Sequence, residues 1–276
     1  MTVFDEPRID CHVHVFDPVH FPYAADTFYR PAGQETGSAE QLMSVLDAYG
    51  TRYALIVGPN SGYGLDNRCL LDAIARSDGR CKGIAHVAND IGLAELEALK
   101  AEGIVGVAWN VTHYGAAYYE DASPLLERLR ALGMFVSLQV ERDLLVPFAP
   151  MLVRSGVRLL IDHAGRPSVT EGLDQPGFRA LLELAATRRV FVKLSGMMKY
   201  SRQVFPFADT RPYFDALLDA YTPDACMWAS DWPNIRAASR VDYGVLLKHI
   251  EQMLPDPAHR HRVLWETPKA LLGFGE

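Results

Sequence analysis

Short runs of apolar, often β-branched residues alternate along this chain with longer segments whose apolar positions recur every three or four residues. The runs at 8–13, 53–57, 82–88, 104–109, 134–140, 157–162, 190–194 and 225–229 each have a strand's length and predict eight β-strands. Their apolar residues are continuous rather than alternating, the pattern of strands buried on both faces in a helix-covered parallel sheet. The intervening helices carry start and stop signals. Ser123 as N-cap and Pro124 at the first helical position open a helix over 124–132, and Gly133 closes it. Leu125, Leu126, Leu129 and Leu132 form its apolar stripe. Asp143 and Gly156 bracket a helix over 143–155. Gly50 ends one over 40–49, with Leu42, Val45, Leu46 and Tyr49 on one face, and Thr267-Pro268 opens a last one over 268–272, closed by Gly273.

Eight βα units in 276 residues close more readily into a barrel than they lie open. A (β/α)8 barrel takes about 250 residues as one unit. The predicted fold is a single (β/α)8 TIM barrel spanning 1–276, with no fixed-period repeat, low-complexity tract or linker to divide it. An open doubly wound sheet would carry a GxGxxG turn after its first strand, and none stands there. Barrel chemistry sits at the C-terminal ends of the strands, so candidate residues belong there.

Composition narrows the partners. A net charge of −7 argues against nucleic acid, which needs a basic face. The four cysteines, Cys11, Cys69, Cys81 and Cys226, form no CxxC pair and lie in or beside apolar runs, as reduced buried thiols do. The N-terminal stretch is too short and acidic for a signal peptide, and no apolar run reaches the roughly 20 residues of a membrane helix. The expectation is a soluble cytoplasmic protein, monomer or homo-oligomer, without nucleic-acid or membrane partners.

Three strand ends carry chemistry. The first ends in Asp10-Cys11-His12-Val13-His14, and strand alternation puts Asp10, His12 and His14 on one face. Two imidazoles converging there suit a metal ion or a polarised carbonyl. The sixth strand ends in Asp162-His163-Ala164-Gly165-Arg166-Pro167 and the eighth in Ser230-Asp231-Trp232-Pro233. Buried strands seldom end in charged groups unless those groups face something polar.

These motifs, HxH, DHxGRP and SDWP, resemble those of the amidohydrolase superfamily (amidohydrolase 2 type), whose fold is the metallo-dependent-hydrolase barrel. They are most similar to its lactonase branch, which includes 2-pyrone-4,6-dicarboxylate hydrolase, 4-sulfomuconolactone hydrolase and galactarolactone isomerase. Further matches are Phe16-Asp17-Pro18, Phe21-Pro22-Tyr23, Leu65-Asp66-Asn67, Gly106 to Asn110, Lys193 to Gly196 and the closing Ala270-Leu271-Leu272-Gly273-Phe274, so the likeness covers nearly the whole chain. The resemblance implies hydrolysis of a small anionic lactone in aromatic or sugar-acid catabolism. Asp231 would be the general base, and His12, His14 and His163 would polarise the carbonyl. Lactone isomerisation, metal-dependent decarboxylation and a non-catalytic ligand-binding barrel are the alternatives. It also implies a reaction without cofactor. A single Zn²⁺ on His12, His14, His163 and Asp231 is the other possibility, and Gln139-Val140-Glu141 at the fifth strand's end fits the lactonase branch.

For substrate binding, Arg166 is expected to clamp a carboxylate or sulfonate with its planar fork. The resemblance adds Tyr29, Lys193, Tyr200, Ser201 and Arg202. Where the dicarboxylate hydrolase has arginines, in and after the fourth strand, this chain reads Val107 to Tyr114 without one. A single anionic group with polar recognition by Asn110, His113 or Tyr114 is therefore expected. Asn234 stands where relatives often carry His. His86 is expected to be a core histidine, and Trp232 to pack at the barrel mouth. The segment 15–38, longer than a connector requires, should fold over that mouth.

Overall fold

The computed structural model describes residues 2–275, and in it eight strands follow one another in chain order around one sheet. They are β1 (Ile9–Val13), β2 (Tyr53–Val57), β3 (Cys81–Ala85), β4 (Ile104–Asn110), β5 (Phe135–Gln139), β6 (Arg158–Ile161), β7 (Val190–Leu194) and β8 (Cys226–Trp228). Adjacent strands are parallel throughout. β8 is too short to zip fully against β1, and the seam closes just beyond it. There the His14 N–H donates to the Trp232 carbonyl at 2.8 Å and the Asp231 N–H to the His12 carbonyl at 3.0 Å. The fold is the (β/α)8 barrel that the continuous apolar runs predict.

Two predicted helices differ in detail. The helix at Ser123 runs Ser123–Leu132, so Ser123 lies inside the first turn and Ala122 takes the cap position. The helix expected over 143–155 is broken. A 3₁₀ turn at Arg142–Leu145 precedes an α-helix at Ala149–Ser155, because Pro147 removes a backbone donor from the intervening turn and Pro150 suits only the first turn of a new helix. Among the described residues, no helix is long and apolar enough to cross a membrane. All four cysteines are free and buried.

One feature of β1 overturns a sequence expectation. The β1–β2 register shifts between Asp10 and Val13, and this bulge interrupts the alternation of side chains. Cys11 packs inside the barrel with Leu55, Ile84, Leu160 and Met227, yet His12 also faces inward, lining the cavity above them. Asp10 does not share the face of His12 and His14. Its Oδ1 accepts from the backbone N–H groups of Ser230 (3.0 Å) and His12 (3.2 Å), stapling β1 to the chain after β8.

The segment 15–38 is pinned where it leaves and rejoins the barrel, the Phe16 N–H donating to the Gly37 carbonyl at 2.8 Å. A Cβ on Gly37 would stand 2.1 Å from the Trp232 ring, so the seam tolerates only glycine there. Trp232 is buried at the mouth, as expected.

Candidate active site

Three imidazoles from two strand ends meet one carboxylate oxygen from a third. Asp231 Oδ1 lies 3.6 Å from His14 Nε2, 3.6 Å from His163 Nε2 and 3.9 Å from His12 Nε2. The backbone is bent to bring them there. Asp231 has φ +61°, and His163, Ala164, Gly165 and Arg166 form a run of left-handed residues with φ from 45° to 71°. Non-glycine residues hold that conformation at a cost, and such cost concentrates at functional sites. Gly196 leaves room for the imidazole, since a Cβ on it would lie 2.5 Å from His163 Nδ1.

Beneath the imidazoles sits a buried ammonium. Lys193, fully enclosed, directs its three N–H bonds at Asp162 Oδ1 (2.8 Å), His12 Nδ1 (3.1 Å) and Ser137 Oγ (3.3 Å). The Ser137 hydroxyl in turn donates to Asp162 Oδ1 at 2.9 Å. An ammonium can only donate, so His12 Nδ1 accepts, and neutral His12 carries its proton on Nε2. His14 fits this arrangement. Its Nδ1–H donates to the Val57 carbonyl at 2.7 Å, leaving Nε2 to accept from His12 Nε2 at 3.2 Å.

Electrostatics fix the charge states. Burial, then Lys193, pushes His12 down to about 4; burial alone is the main cause for His86, also about 4. His163 is held well below its ordinary value, chiefly by burial. Burial would raise the Asp231 carboxyl, but Lys199, His163, His14 and His12 outweigh it and hold it well below the usual range. The site therefore presents neutral imidazoles around an ionised carboxylate at neutral pH.

The His12, His163 and Asp231 donor atoms lie within 4.8 Å of one another, close enough for one divalent ion to bridge. Their protonation does not match that spacing. With Lys193 on its Nδ1, His12 presents an N–H rather than a lone pair, and shifting the proton would set an N–H against an ammonium.

A cavity of about 470 Å³ opens over these groups. Arg166, Asn110 and His113 line it as the sequence predicts, and so do His86 and Phe28. His86 is buried but faces the cavity rather than the core. Phe28, from the 15–38 segment, stacks on His113 with ring centroids 3.9 Å apart. Other candidates lie elsewhere. Lys193 is below the site with every N–H engaged, so its predicted contact with substrate is corrected to a supporting position. Tyr29 is off the cavity wall, its hydroxyl donating to Glu35 at 2.5 Å and its ring under the Arg236 guanidinium. Arg202 is exposed, its backbone N–H bound to Asp209, and the Ser201 hydroxyl bonds the same carboxylate. Tyr200 and Tyr114 pack against the core instead of lining the cavity.

Sequence reading missed Lys199, whose Nζ lies 3.0 Å from Asp231 Oδ2. The signal was present: Lys199 ends the short 3₁₀ turn Met197–Lys199 in the loop after β7, one residue before the Tyr200-Ser201-Arg202 run. Asn60 and Arg236 also line the cavity, and neither stands in a recognisable motif.

A family model described as Amidohydrolase matches residues 9–274. The chain is 32% identical to 4-sulfomuconolactone hydrolase of Rhizobium radiobacter over 96% of its own length and 89% of that protein. It is 27% identical to 2-pyrone-4,6-dicarboxylate hydrolase of Comamonas testosteroni, over 95% and 89%. Its fold superposes on a probable 2-pyrone-4,6-dicarboxylic acid hydrolase of Acinetobacter baumannii with a TM-score of 0.88, covering 97% of this chain and 99% of that one at 27% identity.

Proposed function

The chain belongs to the amidohydrolase family, and from that premise we propose that it hydrolyses a small anionic lactone. The observation that carries this reading is the convergence of three imidazoles, with His12 and His163 held neutral by burial, on one ionised carboxylate oxygen. Asp231 takes a proton from water as the water oxygen attacks the lactone carbonyl carbon. The developing oxyanion displaces His14 Nε2 as the acceptor of His12 Nε2–H and, with the Ser195 hydroxyl donating to His163 Nδ1 at 3.1 Å, also accepts from His163 Nε2–H. When the ring C–O bond breaks, Asp231 returns the proton to the departing alkoxide. Arg166, on the cavity wall, holds the substrate's anionic group.

The same reading assigns the reaction to hydrogen-bond donors rather than to a metal, on the support of the Lys193 to His12 hydrogen bond. A pH-stat assay over a lactone panel tests the function, because opening a lactone at neutral pH releases acid. Wild type should open at least one member, and Asp231→Asn should lose about 10³-fold or more in kcat. Near-normal rates in that variant would refute the mechanism. Activity should survive exhaustive chelation; loss restored by zinc would refute the metal-free assignment.

A further inference from the structure

The charged groups of the cavity all come from one half of the barrel. Arg166, Lys199, Arg236, Glu141, Asp162 and Asp231 follow β5 to β8. Among the described residues, no Lys, Arg, Asp or Glu that precedes β5 lines it. That first half contributes imidazoles, Phe28, Trp109 and the uncharged polar groups of Asn60, Asn110 and Thr112. In a closed ring the loops after β2 and β4 stand across the mouth from those after β6 and β8.

Within the charged half, the ions are unequally free. Lys193 neutralises Asp162, and Lys199 pairs with Asp231. Arg166 Nε has no hydrogen-bond partner, and the Arg236 guanidinium rests only on the Tyr29 ring, 5.3 Å from its centroid. Two cations therefore remain against the single carboxylate of Glu141. On the opposite wall Asn60 Nδ2, Trp109 Nε1 and Thr112 Oγ1 are likewise buried without a partner. The amide orientations there are set by the backbone. The His113 N–H donates to Asn110 Oδ1 at 3.1 Å, so Asn110 Nδ2 donates to Asn60 Oδ1 at 3.2 Å and Asn60 Nδ2 is left over. An unpartnered buried donor is destabilising, and an incoming acceptor relieves it.

We propose that the substrate is asymmetric: one carboxylate or sulfonate binds beneath Arg166 and Arg236, and the opposite flank of the ring carries uncharged hydroxyl or carbonyl oxygens that meet Asn60, Trp109 and Thr112. A second carboxylate on that flank finds no cation and is disfavoured. The inference rests on the lactone-opening reading and refines it to a monoanionic, oxygen-rich lactone.

The test uses two lactones, glucaro-1,4-lactone (one carboxylate, several hydroxyls) and 2-pyrone-4,6-dicarboxylate. Wild-type kcat/KM should favour the first by about tenfold or more. Thr112→Val and Trp109→Phe should each raise KM for the first about three- to tenfold with little change in kcat, and leave the second unaffected. Binding of both compounds to Asp231→Asn by titration calorimetry separates recognition from chemistry. Preference for the dicarboxylate, in rate or in binding, overturns the asymmetry while the lactone-opening reading stands. Tighter binding of the monoanion without turnover of any lactone overturns that reading and leaves the asymmetry intact.

Discussion

The behaviour of Asp231 depends on which cation touches it. Lys199 is the leading group that offsets its burial, so Lys199→Met removes the largest lowering contribution and raises the carboxyl's pKa. A general base works ionised, and the acidic limb of kcat/KM against pH should therefore move upward. An unchanged limb would show that Lys199 does not govern the base. Lys193 is a different case, because its three acceptors are all buried. Lys193→Met strands the Asp162 carboxylate and should cost about 3–5 kcal/mol in urea unfolding, far more than a surface pair would. Sequence motifs disclosed His12, His163 and Asp231 because catalytic groups at strand ends are short-range signals. They could not disclose the Lys193 tripod, whose members lie on β1, β5 and β7 and just after β6 and meet only when the barrel closes.

At the level of elements, the eight strands were legible because burial on both faces leaves an unbroken apolar run. The direction of a particular side chain was not. The β1 bulge adds one residue between Asp10 and Val13, and nothing in Ile9-Asp10-Cys11-His12-Val13 announces it. Its result is a division of labour: His12 turns to the cavity while Asp10 bonds the Ser230 and His12 N–H groups across the weakest strand junction. Asp10→Ala should accordingly lower kcat more than it raises KM, since it loosens both His12 and Asp231 without touching the cavity. A change confined to thermal stability would reduce Asp10 to packing. The broken helix near 143–155 shows the same limit, for its bracketing signals were sound and two internal prolines decided against them.

For the whole molecule, buried neutral histidines set the acid response. His12 and His86 titrate near 4 when folded and near 6.5 when unfolded, so the unfolded chain binds protons first as pH falls. Their contribution to stability is full above about pH 6.5 and should decline between about 6.5 and 4, offset in part by Asp10, whose burial raises its carboxyl to about 6, before the depressed carboxylates Asp162 and Asp231 begin to protonate. Thermal melts across that range check the sign; a flat Tm from pH 7 to 4.5 would contradict it. The overall barrel was readable from the sequence, whereas the polarity of its mouth was not, because it depends on which distant loops face one another.

The paired feet of the 15–38 segment have an evolutionary corollary. With Phe16 and Gly37 already joined by a hydrogen bond, the intervening stretch behaves as an interchangeable cassette clipped onto a finished cylinder. Loop length adds only slowly to the entropy of closure. Descendants can thus exchange this segment, and with it Phe28 on the cavity wall, while the strand-end residues keep their geometry.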